Sequence, residues 1–328
     1  MLDFLYIYIV PFICEDCGAI QIHYNSCRNR CCPMCQAVPK EMWMDARRED
    51  VLDAPYFHLV FTVPDILNPV IYSNQKLLYD ALCHAASSTI SELASDPKHL
   101  GAKVGYICIL HTWDSEMNFH PHIHTILLGG GLTSNNQWKD NGENFFLPIR
   151  VISKVFRGKY LEELKRLWEE DKLVFHGTAE KFRNHYTFNG AQSVIKYLGR
   201  YTHRIAISNH RIVRMDNDAV TFSVKDYCNE GQWKEVTISG AEFIRRFPMH
   251  VPPRRFVRIR HYGLLCSRTK NQKLTLRRNL LGCQKYISRL RDMEMPEVLE
   301  QLYGVKVCVC KACSGHLGKS QMRMPLRC

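Results

Sequence analysis

Two apolar stretches joined by a short polar segment limit the folds open to this 328-residue chain. Residues 104–112 and 122–128 each have the composition of a buried β-strand, and the connection between them is rich in turn-forming residues. A parallel pair needs a crossover of about a dozen residues or more, usually a helix. We therefore predict an antiparallel hairpin, whose second strand ends at the triple glycine of residues 129–131.

The other predicted elements support an α+β fold rather than a doubly wound parallel sheet. Short alternating runs after residue 201, separated by turn residues, are typical of a β-meander. A strand is predicted at Tyr56–Val63, and helices at Tyr72–Ala94, from a Ser153 cap to about Asp171, and at Ala191–Tyr201. We predict an N-terminal module over residues 1–48, a central domain over 49–240 and a basic C-terminal region over 241–328.

Positive charge is concentrated near the C-terminus. The segment Arg245–Arg291 holds fourteen Lys or Arg and no Asp or Glu, whereas the whole chain has a net charge of +12, so the rest sums to −2. Interleaved aromatic residues can stack on unpaired bases while arginines neutralise phosphates. We expect DNA as the partner, a solvated basic face being the alternative. The candidate DNA contacts are Arg28, Arg30, Arg245, Arg246, Arg254, Arg255, Arg258 and Arg260.

Fifteen cysteines, several of them in CxxC pairs, indicate metal binding in a reducing compartment. The chain shows neither a secretion signal nor a stretch of membrane-spanning length, so we expect a cytoplasmic protein with no membrane partner. Two CxxC pairs have the spacing of a structural four-thiolate Zn²⁺ site. These predicted ligands are Cys14, Cys17, Cys32 and Cys35, with Cys27 and Cys31 as alternatives. The C-terminal Cys308, Cys310, Cys313 and His316 either form a second site or bind no metal.

Three histidines lie within the five residues 120–124 (HPHIH). Alternate side chains of a strand share a face, so His122 and His124 point the same way. Two imidazoles about 7 Å apart along a strand can bind one divalent ion. The third ligand is either His111, from the preceding strand, or His120. A row of surface histidines without metal is the alternative.

Two tyrosines occur in the segment IKYLGRYTHR at residues 195–204. Tyr197 and Tyr201 are four residues apart and share one face of a helix. Three cationic side chains lie among them. A tyrosine hydroxyl near a metal ion and cations can lose its proton and attack a phosphodiester. Taken alone, the pair is more typical of core aromatics at helical spacing.

Six segments together resemble the transposases of rolling-circle insertion sequences, the two-tyrosine branch of the HUH nuclease superfamily. They occur in the family's order over about 250 residues. The segments are CEDCGAIQIHYNSCRNRCCPMCQ, PYFHLVFTVPD, HPHIHTILLGGGL, FRGKYLEELKRL, YLGRY and FIRRFPMHVPPRRFVRIRHYGLL. The chain departs from the family at Cys31, where a histidine is usual, and this leaves the zinc ligand set open.

The resemblance implies a HUH-type antiparallel sheet with flanking helices. In it, His122 and His124 would bind Mg²⁺ or Mn²⁺, and Tyr197 and Tyr201 would be the nucleophiles. Attack would leave a 5′-phosphotyrosine and a free 3′-OH, with no nucleotide cofactor. The substrates would be single-stranded element ends and target DNA. The resulting hypothesis is a rolling-circle transposase. The alternatives are a replication initiator or relaxase, and a catalytically inactive, zinc-containing DNA-binding protein derived from a transposase.

Overall fold

The computed structural model describes residues 8–24, 36–175 without 53 and 143, 207, 211–266 without 217 and 227–231, 268, 275, 278–279, 286–319 and 324–325. The predicted helix at Ala191–Tyr201 lies outside these residues. The helices are α1 (Ala37–Arg48), α2 (Asn68–Ser73), α3 (Gln75–Ser95), α4 (Ile149–Glu169), α5 (Gly240–Met249) and α6 (Met295–Tyr303). Among them, none is long and apolar enough to cross a membrane.

Every strand pairing of these residues is antiparallel, which confirms the α+β class. The strands are β1 (Tyr8–Cys14), β2 (Ile20–Tyr24), β3 (Tyr56–Thr62), β4 (Lys103–Trp113), β5 (Phe119–Leu132), β6 (Trp138–Asp140), β7 (Ile212–Met215), β8 (Ala219–Asp226), β9 (Gln232–Ser239), β10 (Ile259–Gly263), β11 (Leu317–Lys319) and β12 (Met324–Pro325). The central sheet has the order β10-β4-β5-β3, with β6 beside β5. The predicted hairpin and meander are confirmed as β4-β5 and β7-β8-β9.

Side-chain alternation gives the central sheet two different faces. Leu110 of β4 and Ile123 of β5 belong to the main core, which also includes Leu82 of α3 and Phe156 of α4. Apolar residues at alternate positions of a strand share a face, so helices α3 and α4 cover that side of the sheet. The alternate residues of the same strands, such as Ile109 of β4 and Ile126 of β5, lie on the opposite face in a smaller apolar cluster. The histidines of β4 and β5 occupy this second face.

Two predicted boundaries differ from the structure. Strand β5 does not end at the triple glycine but continues to Leu132, where β6 joins it. Glycine is required there for close packing, since a Cβ on Gly131 would lie 2.6 Å from the Lys103 carbonyl oxygen. Helix α4 begins at Ile149, with Pro148 rather than Ser153 at its N-cap. The fixed φ of proline favours a helix start at this point.

The described residues form two compact units. One unit lies within residues 1–49 and 286–328, and the other lies within residues 50–285. In the first unit, β1 pairs with β2, β11 and β12. In the second, β10 from the basic segment pairs with β4. The basic segment is therefore divided between the units, with β10 in the second and residues 286–291 in the first.

Asp45 joins α1 to the segment at residues 286–290 within the first unit. Its carboxylate accepts hydrogen bonds from the Tyr286 hydroxyl at 2.6 Å, the Ser288 hydroxyl at 2.6 Å and the Leu290 backbone N–H at 3.0 Å. Burial alone would raise the pKa of Asp45, but these hydrogen bonds outweigh it and lower the pKa. Its ionised form is therefore stabilised in the folded unit, and this stability is lost as pH falls through the lowered pKa.

Replacing Asp45 with alanine should destabilise the first unit by about 3 kcal/mol, because one buried and two half-buried donors lose a charged acceptor. Chemical denaturation followed by fluorescence would measure the free energy of unfolding. Asp292→Ala, at an exposed position of the same unit, is the matched control and should change it by less than about 0.5 kcal/mol. Equal effects of the two substitutions would contradict this role for Asp45.

Candidate metal centre

Strands β4 and β5 bring three histidines together on the second face of the central sheet. His111 of β4 is the register partner of His122 of β5, and His124 follows two residues later on the same face. All three are buried. One ligand nitrogen from each lies within 4.8 Å of the other two. Of the two predicted third ligands, the structure therefore places His111 in the cluster.

Hydrogen bonding orients His122 towards a shared position. Its Nδ1 lies 2.6 Å from the carbonyl oxygen of His120, to which only a protonated Nδ1 can donate. This leaves Nε2 as the ligand atom, 2.8 Å from Nε2 of His124. Metal-binding histidines commonly donate their second ring N–H in this way. His120 contributes its backbone, whereas its half-exposed ring lies 3.3 Å from Asp65 and outside the cluster.

His58 of β3 is a further member of this site that sequence analysis missed. Its Nε2 lies 2.9 Å from Nδ1 of His124, and the two rings stack with centroids 5.1 Å apart. If Nδ1 of His124 donates to His58, Nε2 of His124 faces the cluster in the same tautomer as His122. The available signal was alternation in β3, where the register pairs His58 with Ile126, on the same face as His124.

Comparison with known proteins assigns the chain to a family. Residues 105–273, which include most of β4 and all of β5 and β10, match a family described as "Putative transposase". Residues 9–63 match a transposase zinc-binding domain of the IS91 type. The protein "Putative transposase y4qJ" of Sinorhizobium fredii is 38% identical, over 92% of this chain and 81% of its own length. The chain belongs to the rolling-circle insertion-sequence transposase family.

A second relative of this transposase is named for a specific element. The transposase for insertion sequence element IS801, from Pseudomonas savastanoi pv. phaseolicola, is 30% identical over 79% of this chain and 66% of its own length. The solved structure of the conjugative relaxase TrwC in complex with oriT DNA matches with a TM-score of 0.28 and 16% identity. The match covers 34% of this chain and 42% of the relaxase chain. The predicted family is confirmed, and the relatives do not favour the alternative functions.

Burial keeps the clustered histidines of the transposase neutral. It lowers the pKa of His122 to about 4 and lowers the pKa of His111 and His124 well below 6.5. A neutral imidazole has a lone pair for a metal ion, whereas an imidazolium has none. At neutral pH the three side chains thus fit a divalent ion. Imidazole is not a preferred ligand of Mg²⁺, which favours oxygen donors and usually keeps several waters.

The two predicted nucleophiles, Tyr197 and Tyr201, lie outside the described residues. The same holds for the predicted DNA contacts Arg28 and Arg30. Of the predicted zinc ligands, Cys14 lies at the end of β1 and Cys17 in the turn that follows. The others, Cys27, Cys31, Cys32 and Cys35, are outside the described part of the chain.

Several arginines predicted to contact DNA instead bind acidic residues of the protein. Arg245 and Arg246 both bind Glu242, at 2.6 and 2.7 Å. Arg246 also donates to the carbonyl oxygen of Glu116 at 2.8 Å. Arg260 forms an ion pair with Asp80. These ion pairs, two within α5 and one with Asp80 of α3, neutralise part of the positive charge that the basic segment shows on its own.

Two other predicted contacts, Arg254 and Arg255, are exposed, and no ion pair of the described residues involves them. Arg258 lies beside the metal centre. Its guanidinium carbon is 5.4 Å from the ring centroid of Trp113, and that ring stacks on His111 with centroids 4.8 Å apart. Arg245, Arg246 and Arg260 are therefore held by carboxylates, whereas Arg254 and Arg255 are exposed.

Replacing His58 with alanine should weaken Mn²⁺ binding by about 10- to 100-fold, the usual cost of losing a residue that orients a metal ligand. His58→Gln keeps a hydrogen-bond acceptor at comparable reach and should recover most of the affinity. Isothermal titration with Mn²⁺ measures both. The matched control is His84→Ala, which removes an exposed histidine of α3. An equal loss of affinity in the Gln and Ala variants would contradict an orienting role.

Proposed function

We propose that this transposase nicks and rejoins DNA strands at a divalent ion bound by His111, His122 and His124, using Tyr197 and Tyr201 as nucleophiles. The convergence of three buried, neutral imidazoles within 4.8 Å is the observation that carries the proposal. Family membership supplies the reaction, since a transposase must break and rejoin phosphodiester bonds. When bound, the ion supplies Lewis-acid polarisation of the scissile phosphate.

A tyrosine side chain carries out the exchange of the phosphodiester bond. A tyrosine loses its phenolic proton and its oxygen attacks phosphorus, forming the O–P bond of a 5′-phosphotyrosine. The bond from phosphorus to the 3′ oxygen breaks, and that oxygen takes up a proton to become the free 3′-OH. One phosphodiester is exchanged for another, so a 3′-OH can reverse the reaction without a nucleotide cofactor.

The tyrosines of the main core are poor candidates for the nucleophile. Burial raises the pKa of Tyr79, Tyr106 and Tyr160, so their phenolate forms are disfavoured at neutral pH. A nucleophile also has to reach a DNA strand, which a side chain packed in the main core does not. These exclusions support the choice of Tyr197 and Tyr201, which rests on the family motif.

We propose single-stranded element ends and target DNA as the substrates. Arg258 lies close to the histidines, since Trp113 contacts both Arg258 and His111, and the exposed Arg254 and Arg255 can neutralise phosphates of a bound strand. The experiment that tests the function is incubation of the purified chain with labelled single-stranded element ends and Mn²⁺. A DNA-protein adduct that survives denaturation is expected. A protein that contains zinc and binds DNA, but does not nick the DNA in the presence of any divalent ion, would overturn the proposal.

Replacing Arg254 and Arg255 with alanine should reduce the salt dependence of DNA binding. Each lost phosphate contact on a single strand lowers the slope of log K against log salt by about 0.7. Fluorescence anisotropy at several salt concentrations gives this slope. Arg245→Ala/Arg246→Ala removes the same charge from positions already paired with Glu242 and should change the slope less. A larger change in the paired set would contradict this division of the arginines.

A further inference from the structure

Two CxxC loops from opposite ends of the sequence converge in the unit formed by residues 1–49 and 286–328. Cys14 is the last residue of β1 and Cys17 lies in the turn that follows, whereas Cys310 and Cys313 precede β11. Their four sulfur atoms lie within 4.8 Å of one another. Sγ of Cys14 is 3.3 Å from Sγ of Cys313, and Sγ of Cys17 is 3.7 Å from Sγ of Cys310. All four are free thiols rather than disulfide partners.

The two loops have the same backbone geometry. In each, the N–H of the fifth residue donates to the carbonyl of the first cysteine, at 3.0 Å from Gly18 and 2.9 Å from Ser314. The N–H of the first cysteine donates to the carbonyl of the sixth residue, at 2.9 and 2.8 Å. The fifth residue has a positive φ in both loops, +70° at Gly18 and +63° at Ser314. Serine rarely adopts this conformation, so the second loop keeps the same turn as the first although it lacks a glycine at this position.

Backbone donors stabilise negative charge on the second loop. The Ala312 N–H lies 3.4 Å from Sγ of Cys310, and the Gly315 N–H lies 3.4 Å from Sγ of Cys313. Such hydrogen bonds are the usual surroundings of a metal-bound thiolate. Tetrahedral zinc with bonds of about 2.3 Å would set its sulfur ligands about 3.8 Å apart. The observed separations of 3.3 and 3.7 Å are close to this value.

We propose that Cys14, Cys17, Cys310 and Cys313 bind one structural Zn²⁺, so that both ends of the chain build the zinc module. Four thiolate ligands leave no open coordination position, as expected for a structural site. The pairing of β11 with β1 holds the two loops side by side without the ion. The matched zinc-binding domain ends at residue 63 and so includes only the first loop. This ligand set differs from the predicted one, which joined the first loop to Cys32 and Cys35.

Thiol footprinting of the unaltered, zinc-loaded chain tests this inference independently of the nuclease chemistry. Cys17, Cys308 and Cys313 are all exposed, so N-ethylmaleimide can reach each of these thiols when no ion is bound. We expect Cys17 and Cys313 to be protected while Cys308 reacts, and both to react after zinc is removed with a chelator. Reaction of Cys313 at the rate of Cys308 in the zinc-loaded protein would overturn the proposal.

Zinc content provides a second measurement. The full-length Cys310→Ser/Cys313→Ser variant should contain one zinc equivalent less than the unaltered chain by elemental mass spectrometry. Cys14→Ser/Cys17→Ser should lose the same equivalent, and combining all four substitutions should remove no more than one. Cys308→Ser is the matched control from the same segment and should retain full zinc content. Full zinc content in Cys310→Ser/Cys313→Ser would contradict the ligand set.

Discussion

Replacing His122 and His124 together with alanine should reduce strand cleavage by about 10³- to 10⁴-fold. Lewis-acid stabilisation of a phosphoryl transition state contributes several kcal/mol, and each 1.36 kcal/mol corresponds to about tenfold in rate. The variant should also lose Mn²⁺ binding, because only one imidazole of the three would remain. Single-turnover cleavage of a labelled strand and titration with Mn²⁺ measure the two effects separately.

The control for this pair is His250→Gln. His250 is also buried, but it bonds to Thr112 and to the Met117 carbonyl and does not belong to the three-histidine cluster. We expect this variant to bind Mn²⁺ with unchanged affinity and to cleave within about tenfold of the unaltered rate. A folded His122→Ala/His124→Ala protein that cleaves DNA normally would remove the metal centre from the mechanism.

The Tyr197→Phe/Tyr201→Phe variant should form no covalent adduct with DNA, although its binding of Mn²⁺ and DNA should persist. Phenylalanine preserves the ring and removes only the hydroxyl oxygen that attacks phosphorus. Denaturing electrophoresis of the labelled reaction measures the adduct, and a loss of at least about 10³-fold is expected. Each single variant should retain any step performed by the other tyrosine.

Tyr72→Phe is the matched control for the tyrosine variants. Tyr72 is exposed in α2, and its ring contacts Phe119 of the strand that carries His122 and His124. It is therefore an alternative hydroxyl near the central sheet, and its replacement should leave the adduct unchanged. An adduct that persists in Tyr197→Phe/Tyr201→Phe but disappears in Tyr72→Phe would assign the nucleophile to α2 instead.

Sequence periodicity predicted the elements that depend on neighbouring residues. Two apolar runs with a short polar connection were sufficient to identify β4 and β5 as a hairpin, and alternation placed His122 and His124 on one face. It did not decide between His111 and His120, because that choice depends on which residues pair across the two strands. The register opposes His111 to His122, and a register irregularity follows between His111 and Trp113. His58 was missed for the same reason, since it lies on a third strand.

Contacts between residues far apart in the sequence could not be predicted from local sequence patterns. The basic segment gave no sign that Arg260 would pair with Asp80, about 180 residues earlier. Nor did the spacing of cysteines show that Cys310 and Cys313 would lie beside Cys14 and Cys17, since Cys32 and Cys35 offer an equally regular spacing nearer in sequence. In both cases the tertiary fold selects among candidates of the same chemical type.

Peptide mapping of the covalent adduct tests the catalytic account most directly. Trypsin cuts after Lys196, Arg200 and Arg204, so it places Tyr197 and Tyr201 in separate peptides of residues 197–200 and 201–204. After digestion of the DNA, mass spectrometry should find a 5′-phosphonucleotide on the tyrosine of one or both peptides. Cleaved DNA with both peptides unmodified, or with the nucleotide on any other residue, would contradict a two-tyrosine mechanism.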